Sequence, residues 1–177
     1  EEALKFLGRV DILVNNAAML IRHNLLELEP ETMQKIFQVN VVAPLYLTQL
    51  CAKEMKKQSV QGNILNISST ASLSTSHQGI AYASSKAALN KWTQNAAFDL
   101  AKYGIRVNVI APGLVGSGMG LDTKTKNPDL WHDYSKRTPL KRVGKPTDIA
   151  HMAIFLASKK AEWITGKVFT VDGGLVL

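Results

Sequence analysis

The residues best suited to chemistry are a tyrosine and a lysine four positions apart, Tyr82 and Lys86 in the run Tyr82-Ala83-Ser84-Ser85-Lys86. On a helix this spacing places both side chains on one face. An ammonium group beside a phenol favours the phenolate and is expected to lower the pKa of the tyrosine. Such a tyrosine could take up or release a proton near neutral pH. The same pair also occurs by chance on helix surfaces, so its surroundings decide the interpretation.

A serine provides a second hydroxyl group before this tyrosine. Ser69 directly follows the apolar run Gly62–Ser68, which is typical of a buried strand. In an open parallel sheet, ligands bind outside the carboxyl ends of the strands. The Ser69 hydroxyl could therefore donate to a substrate oxygen while Tyr82 exchanges its proton. Turn and capping chemistry is the alternative, because serine is common after strands.

An asparagine lies inside the apolar stretch from Phe37 to Pro44. Pro44 has no N–H with which to donate to the carbonyl of Asn40, four residues earlier. The sequence therefore predicts a kinked helix whose Asn40 carbonyl is free to hold a water molecule or a lysine side chain. Such a water could link Lys86 to bulk solvent as a proton relay. A hydrogen-bonded polar residue of the helix interior is the alternative.

The elements that must position these residues are predicted from hydrophobic patterning. Four short runs read as strands: Val10–Asn15, Gly62–Ser68, Ile105–Ala111 and Gly166–Asp172. Between them we expect helices from Pro30 toward Lys57, from Ala81 to Tyr103, and from Thr147 as N-cap to Ser158; residues 1–7 look like the end of another helix. Strands that alternate with helices indicate βαβ units and a parallel sheet, so the predicted fold class is α/β.

Small and turn-forming residues follow the predicted strands. Asn15-Asn16-Ala17-Ala18 closes the first strand, and its alanines would let a flat ligand approach closely. Pro112-Gly113 ends the third strand, and Asp172-Gly173-Gly174 ends the fourth. Simple strand-ending turns remain the alternative at each position.

A long segment, residues 113–144, mixes Gly, Pro, Lys and Thr and is predicted to be a loop with short helical stretches at most. Segments of this kind are usually binding loops or lids. Its apolar residues could cover a substrate or pack against the domain: Met119, Leu121, Trp131 and Tyr134. His77 could also enter a substrate pocket, although its position favours a loop histidine without such a role.

Composition bounds the partners of the chain. It has 177 residues, 46% hydrophobic and 20% charged, which suits one domain with a sizeable core. The net charge is +7, but the basic residues form scattered pairs, which argues against nucleic-acid binding. No apolar run approaches the roughly 20 residues of a membrane helix, and the four histidines lack metal-ligand spacing. The single cysteine, Cys51, favours a reducing, cytoplasmic setting.

The ordered set of motifs resembles the short-chain dehydrogenase/reductase family over nearly the whole chain. The motifs that carry the resemblance are Asn15-Asn16-Ala17-Ala18, Asn40, Ile67-Ser68-Ser69, Tyr82-x-x-x-Lys86, Pro112-Gly113 and Asp172-Gly173-Gly174. The resemblance implies a doubly wound, Rossmann-like three-layer α/β/α fold. It also implies a hydride transfer between NAD or NADP and a secondary alcohol or ketone.

The same resemblance implies a role for each matching residue. Tyr82 would be the acid–base, Ser69 would orient the substrate oxygen, and Asn40 would hold the relay water. Lys86 would lower the pKa of Tyr82 and hold the nicotinamide ribose. Besides Lys86, the cofactor contacts would come from Tyr82 and from Asn15, Ala17, Pro112, Gly113, Val115 and Ser117. Ala18 and Ser72 stand where the family more often has glycine.

One family feature is absent from the sequence. The Gly-rich phosphate turn of a dinucleotide fold should follow the first strand, yet no such turn precedes Val10. We therefore expect residues 1–177 to be a single domain that lacks its first βαβαβ segment, roughly 70 residues at about 30 per βαβ unit. The residue that would select NAD or NADP would lie in that segment.

Several functional alternatives stay open at this stage. A 3-oxoacyl-thioester reductase and a sugar or polyol dehydrogenase would use the same four catalytic residues. A non-catalytic binding or scaffolding module with the same fold is the competing class. The two long helices carry apolar residues on more than one face, and the resemblance implies a homotetramer or homodimer built there.

Overall fold

A computed structural model describes residues 2–75 and 79–176. Its sheet has four parallel strands in the order β1-β2-β3-β4. The strands are β1 Ile12–Asn15, β2 Asn63–Ile67, β3 Arg106–Pro112 and β4 Val168–Val171. All four predicted strands are confirmed, within one or two residues at nearly every end.

Helices connect the strands. They are α1 Glu2–Leu7, α2 Pro30–Phe37, α3 Ala43–Lys57, α4 Ile80–Ala101, α5 Met119–Lys126, α6 Pro128–Arg137 and α7 Pro146–Ala157. Single 3₁₀ turns cover Thr70–Ser72 and Lys159–Ala161. Within the described ranges, no helix has both the length and the apolarity to cross a lipid bilayer.

The two central strands are apolar on both faces, because helices cover them on both sides. Successive residues of a strand point to opposite faces, so Ile64 packs with α3 and α4 while Leu65 packs with α7. Val107 and Ile110 of β3 divide in the same way. This three-layer arrangement confirms the predicted doubly wound α/β architecture.

Asparagine side chains tie the sheet to the helices beside it. Asn15 donates to Oδ1 of Asn66, its register partner, at 2.7 Å, and also to Thr48 Oγ1 at 3.2 Å. Asn66 is fully buried and donates in turn to Thr93 Oγ1 at 2.9 Å. Buried polar groups need such partners, so this chain of bonds fixes β1, β2, α3 and α4 in one register.

The predicted kink near Pro44 takes the form of a π-helical segment, Gln38–Val42, between α2 and α3. The backbone N–H of Ala43 bonds to the carbonyl of Gln38, five residues earlier. Proline cannot donate at the next position, so the widened turn removes one ordinary helical bond without leaving a buried donor unpaired. Asn40 lies at the centre of this segment and is fully buried.

Two local predictions need correction. The N-cap of α7 is Lys145 and not Thr147, because Pro146 occupies the first helical position and Asp148 accepts the Lys145 N–H at 2.7 Å. The segment 113–144 is more helical than the sequence predicts, since α5 and α6 fill its middle. Asn127 caps α6 by accepting from the Leu130 N–H at 3.0 Å. The mixed composition of the segment made this N-cap hard to identify from the sequence.

Replacing Asn66 by alanine should lower the free energy of unfolding by about 2–3 kcal/mol, because the buried amides and hydroxyls on either side lose a partner. Asn95→Ala, on the exposed face of α4, should change it by less than about 0.5 kcal/mol. Urea unfolding of both variants measures the difference. Equal losses would show that the asparagine chain does not stabilise the sheet.

Candidate active site

The predicted catalytic residues meet at the carboxyl edge of the sheet. Ser69 follows β2, Tyr82 and Lys86 lie in the first two turns of α4, and Asn40 lies in the π-helical segment packed against α4. A parallel sheet places its ligand site at this edge. Four residues scattered over nearly fifty positions are therefore gathered by the fold.

The ammonium group of Lys86 is buried. Its side chain is 2% exposed, and Nζ donates to the carbonyl of Ile67, the last residue of β2, at 2.8 Å. Burial lowers the pKa of Lys86 to about 8, because the charged form loses its hydration. Of the three donor protons of this group, the part of the chain that the structure describes satisfies one.

The phenol of Tyr82 lies beside this lysine. Lys86 Nζ is 5.7 Å from the centre of the Tyr82 ring. Burial raises the pKa of Tyr82, while a hydrogen-bonding approach by Ser69 and the charge of Arg22 act to lower that pKa. The expected net lowering of this pKa by Lys86 is thus not found: the ammonium bonds a backbone carbonyl, and desolvation of the phenol is the larger effect.

Ser69 is positioned by the 3₁₀ turn that it begins. Its Oγ accepts from the Ala71 N–H at 3.2 Å, and Ser72 Oγ donates to its carbonyl at 2.6 Å. A hydroxyl that accepts from a backbone N–H keeps its own proton available to donate. The Ser69 and Tyr82 hydroxyls do not form a well-aligned hydrogen bond here, and catalytic bonds of this kind often tighten only when substrate binds.

The side chain of Asn40 binds two segments at once. Its Oδ1 accepts from the Met19 N–H at 2.8 Å, and its Nδ2 donates to the Met19 carbonyl at 2.9 Å and to Ser85 Oγ at 3.0 Å. Ser85 Oγ in turn donates to the carbonyl of Tyr82 at 2.7 Å. Asn40 therefore joins the segment after β1 to the turn of α4 that carries the tyrosine.

The predicted cofactor residues differ in where their side chains lie. Asn15 directs its amide into the interior, toward Asn66 and Thr48, so its side chain already has partners. Ala17 is exposed at the carboxyl edge, two residues beyond β1. Ala17 is therefore exposed at the edge of the sheet that also carries Ser69.

The segment after β3 is held close to the sheet. A methyl group on Gly113 would lie 2.9 Å from Cβ of Asp172, so this position requires glycine. Val115 pairs with Gly144 in a parallel bridge. Pro112 ends β3 and Ser117 is exposed just beyond the bridge, so these residues line the same edge as Lys86.

A protein-family profile described as Enoyl-(Acyl carrier protein) reductase matches residues 1–176. The 7alpha-hydroxysteroid dehydrogenase of Escherichia coli K12 is 39% identical over 172 residues, which cover 97% of this chain and 66% of that enzyme. The chain belongs to the short-chain dehydrogenase/reductase family. The predicted family and class, an NAD(P)-dependent dehydrogenase or reductase, are confirmed.

Solved structures agree with this assignment. ElxO with NADP bound superposes with a TM-score of 0.90 at 31% identity, over 98% of this chain and 70% of that one. A 4-hydroxyisoleucine dehydrogenase complexed with NADH gives a TM-score of 0.88 at 31% identity, over 99% and 73%. This short-chain dehydrogenase/reductase chain spans about two thirds to three quarters of the length of these relatives.

The site fits the nicotinamide end of the family's cofactor. Two donor protons of the buried Lys86 ammonium remain for ribose hydroxyls, and they are costly to leave unpaired. Ala17, Pro112 and Ser117 offer small or hydroxyl-bearing surface at the same edge. No glycine-rich phosphate turn occurs before β1 in these 177 residues, so the fit concerns the nicotinamide half alone.

The apolar residues of segment 113–144 could cover a substrate or pack against the domain, and the structure places them differently. Met119 and Leu121 are substantially exposed on α5. Trp131 is half-buried, with Lys124 Nζ 5.6 Å from its ring centre, so it packs within the segment itself. His77 lies outside the described residues.

Sequence reasoning missed two residues near the site. Asn90 donates to Ser72 Oγ at 2.8 Å and so supports the turn that holds Ser69. Its position eight residues after Tyr82 and four after Lys86 is a helical repeat that could have revealed it. Arg22 lies on a separate loop and acts to lower the pKa of Tyr82. No sequence pattern near either residue predicts this effect.

The lowered pKa of Lys86 predicts a pH-dependent stability. The folded protein releases this proton near pH 8, whereas an unfolded lysine keeps it to about pH 10.5, so wild-type stability should rise with pH across this window. Lys86→Met lacks this gain. Its free energy of unfolding relative to wild type should therefore fall by up to about 1.4 kcal/mol per pH unit above pH 8.

Urea unfolding at pH 7, 8, 9 and 10 measures this difference. Lys53→Met, which replaces an exposed lysine of α3, serves as the control and should follow the wild-type pH dependence. A Lys86→Met difference that stays constant with pH would refute the buried-ammonium interpretation.

Proposed function

We propose that this protein interconverts a secondary alcohol and a ketone, with Tyr82 as the catalytic acid–base. The observation that carries the proposal is the convergence of a partly buried phenol, a buried ammonium and an N-capping serine hydroxyl at the carboxyl edge of the sheet. NAD or NADP would accept or supply the hydride.

The protein side of the reaction concerns one substrate oxygen. During reduction, the Tyr82 O–H donates its proton to the developing alkoxide, and the Ser69 O–H hydrogen-bonds to the same oxygen. During oxidation, the tyrosine accepts the proton in return. A group whose pKa lies near the working pH can both donate and accept the proton. Influences that lower the pKa of Tyr82 favour its phenolate, which is the base that oxidation requires.

We further propose that Lys86 and Asn40 support the proton path. Lys86 has donors to spare for the ribose and for water. The backbone carbonyl of Asn40 loses its usual helical donor, because Pro44 has no N–H. A water held there would connect Lys86 with solvent, as the sequence predicts. Support comes from the π-helical segment, since widened turns of this kind frequently occur at functional sites.

The substrate is a small alcohol or carbonyl compound. A 3-oxoacyl thioester and a sugar or polyol remain the two candidates, and the segment 113–144 would distinguish them.

The single cysteine, Cys51, supports a cytoplasmic setting, because the described chain makes no disulfide that would need oxidation.

Tyr82→Phe should lower kcat by at least about 100-fold, because the substrate oxygen loses its proton donor. Binding of NADH or NADPH, followed by fluorescence quenching, should change little. Oxidation of both nucleotides with a ketone panel measures turnover, and Tyr103→Phe, between Lys56 and Lys102 at the opposite edge of the sheet, is the matched control. Unchanged turnover in Tyr82→Phe would favour the non-catalytic alternative.

We propose a homodimer or homotetramer built on α3 and α4. Leu45 and Leu50 of α3 are nearly half exposed, and Phe98 of α4 is 84% exposed. Apolar side chains grouped on neighbouring helices are typical of a subunit interface.

Phe98→Glu should therefore shift the protein to a smaller species, because a carboxylate would be buried without a partner. Light scattering coupled to gel filtration measures the mass. Lys159→Glu, in the turn after α7, should leave the mass unchanged. A monomeric wild type would contradict this proposal.

A further inference from the structure

An exposed arginine lies on a segment that pairs with the start of α4, the helix that carries Tyr82. Arg22 is exposed on the segment that leaves the carboxyl end of β1, the edge that also carries Ser69 and Tyr82. Among residues 2–75 and 79–176, its side chain forms no hydrogen bond and no ion pair. An arginine aimed at solvent in this position can pair with a ligand.

The position of Arg22 is set by contacts on both sides. Three residues before it, Met19 is held by the paired hydrogen bonds of the Asn40 amide. One residue after it, His23 pairs with Gly79 in a parallel bridge, and Gly79 immediately precedes α4. The backbone on both sides of Arg22 is thus attached to the helix that carries Tyr82.

The positive charge of Arg22 favours the Tyr82 phenolate and so acts to lower the pKa of the phenol. The second cation of the site, Lys86, bonds a carbonyl and not a carboxylate. The ion pairs of the described chain join Arg9 to Asp11, Lys57 to Glu54, Arg137 to Asp133 and Arg142 to Asp148. Arg22 takes part in none of these ion pairs, so its charge is available to an anionic ligand.

We propose that Arg22 binds the carboxylate of the substrate, so that the enzyme acts on small hydroxy acids and keto acids in preference to neutral alcohols. Guanidinium and carboxylate pair through two parallel N–H···O bonds, which fix orientation as well as charge. This inference rests on the proposed dehydrogenase function and adds a third candidate substrate class, alcohols and ketones that bear a carboxylate.

The carboxylate takes no part in the bond changes. In oxidation, the C–H bond of the alcohol carbon breaks, and NAD(P)⁺ would accept the hydride. The O–H proton passes to the Tyr82 phenolate, which becomes the phenol, and the carbon–oxygen bond becomes a carbonyl. Arg22 holds the acid group, so that the alcohol carbon and oxygen lie at the Ser69–Tyr82 pair.

The test compares hydroxy acids with neutral alcohols of the same skeleton, using the full-length protein and both NAD⁺ and NADP⁺. Lactate is paired with propane-1,2-diol, 3-hydroxybutyrate with butane-1,3-diol, and gluconate with sorbitol. In wild type, kcat/KM should be higher for the acid in at least one pair and should fall as salt is raised.

Arg22→Gln should lower kcat/KM for that acid by about 10- to 100-fold, mainly through KM, since a charge-assisted pair is lost. The neutral partner should change by less than about twofold, on the scale of a lost surface contact. Arg22→Lys should restore part of the acid activity, because it keeps the charge but not the fork. Lys159→Gln removes one charge next to Ser158, which contacts the start of β3 at the opposite edge of the sheet, and should change neither activity.

The results that would contradict this inference can be distinguished from those that would contradict the dehydrogenase function. If wild type turns over either set and Arg22→Gln leaves the acids unaffected, or lowers acids and alcohols equally, Arg22 does not bind a carboxylate and only this inference fails. If neither set is turned over with either nucleotide, and the ketone panel also shows no turnover, the dehydrogenase function itself fails and this inference with it.

Discussion

The burial of one ammonium group organises the catalytic edge. The ammonium group of Lys86 on α4 is shielded from water. Its hydrogen bond to the carbonyl of Ile67, at the end of β2, compensates for the lost hydration. A charge in this environment is unfavourable unless it is bonded, so helix and strand must meet in one register. The same contact places Tyr82 one turn earlier, close to Ser69. One polar bond therefore links the packing of α4 on the sheet to the placement of Tyr82 at its edge.

Buried asparagines distribute this order over the rest of the domain. Asn15 and Asn66 join β1 to β2 and, through Thr93, to α4. Asn40 performs a separate task, because it joins the loop after β1 to the first turns of α4 through Met19 and Ser85. An amide can donate and accept at once, which allows one side chain to connect two elements. The catalytic groups are therefore positioned by polar contacts as much as by apolar packing.

The strands and the Tyr82–Lys86 pair could be predicted because their signals are local: apolar runs covered on both faces, and a spacing of four on a helix. The π-helical turn was partly predictable, since Pro44 removes a donor that the backbone must replace. The direction of the Tyr82 pKa could not be predicted, because it depends on how deeply the fold buries the phenol. Arg22 could not be predicted for a similar reason, since its loop is joined to α4 through tertiary contacts such as the bridge between His23 and Gly79.

The all-parallel order of the sheet also shapes how the molecule is made. Each neighbouring pair joins distant parts of the chain: Ile12 meets Asn63, Asn63 meets Arg106, and Val109 meets Val168. Closing such long loops costs chain entropy before any contact is gained, so sheets of this topology assemble slowly. During synthesis β2 can pair with β1 once it emerges, but its other edge stays unpaired until β3 leaves the ribosome. An open strand edge of this kind is exposed to the unwanted pairing that chaperones prevent.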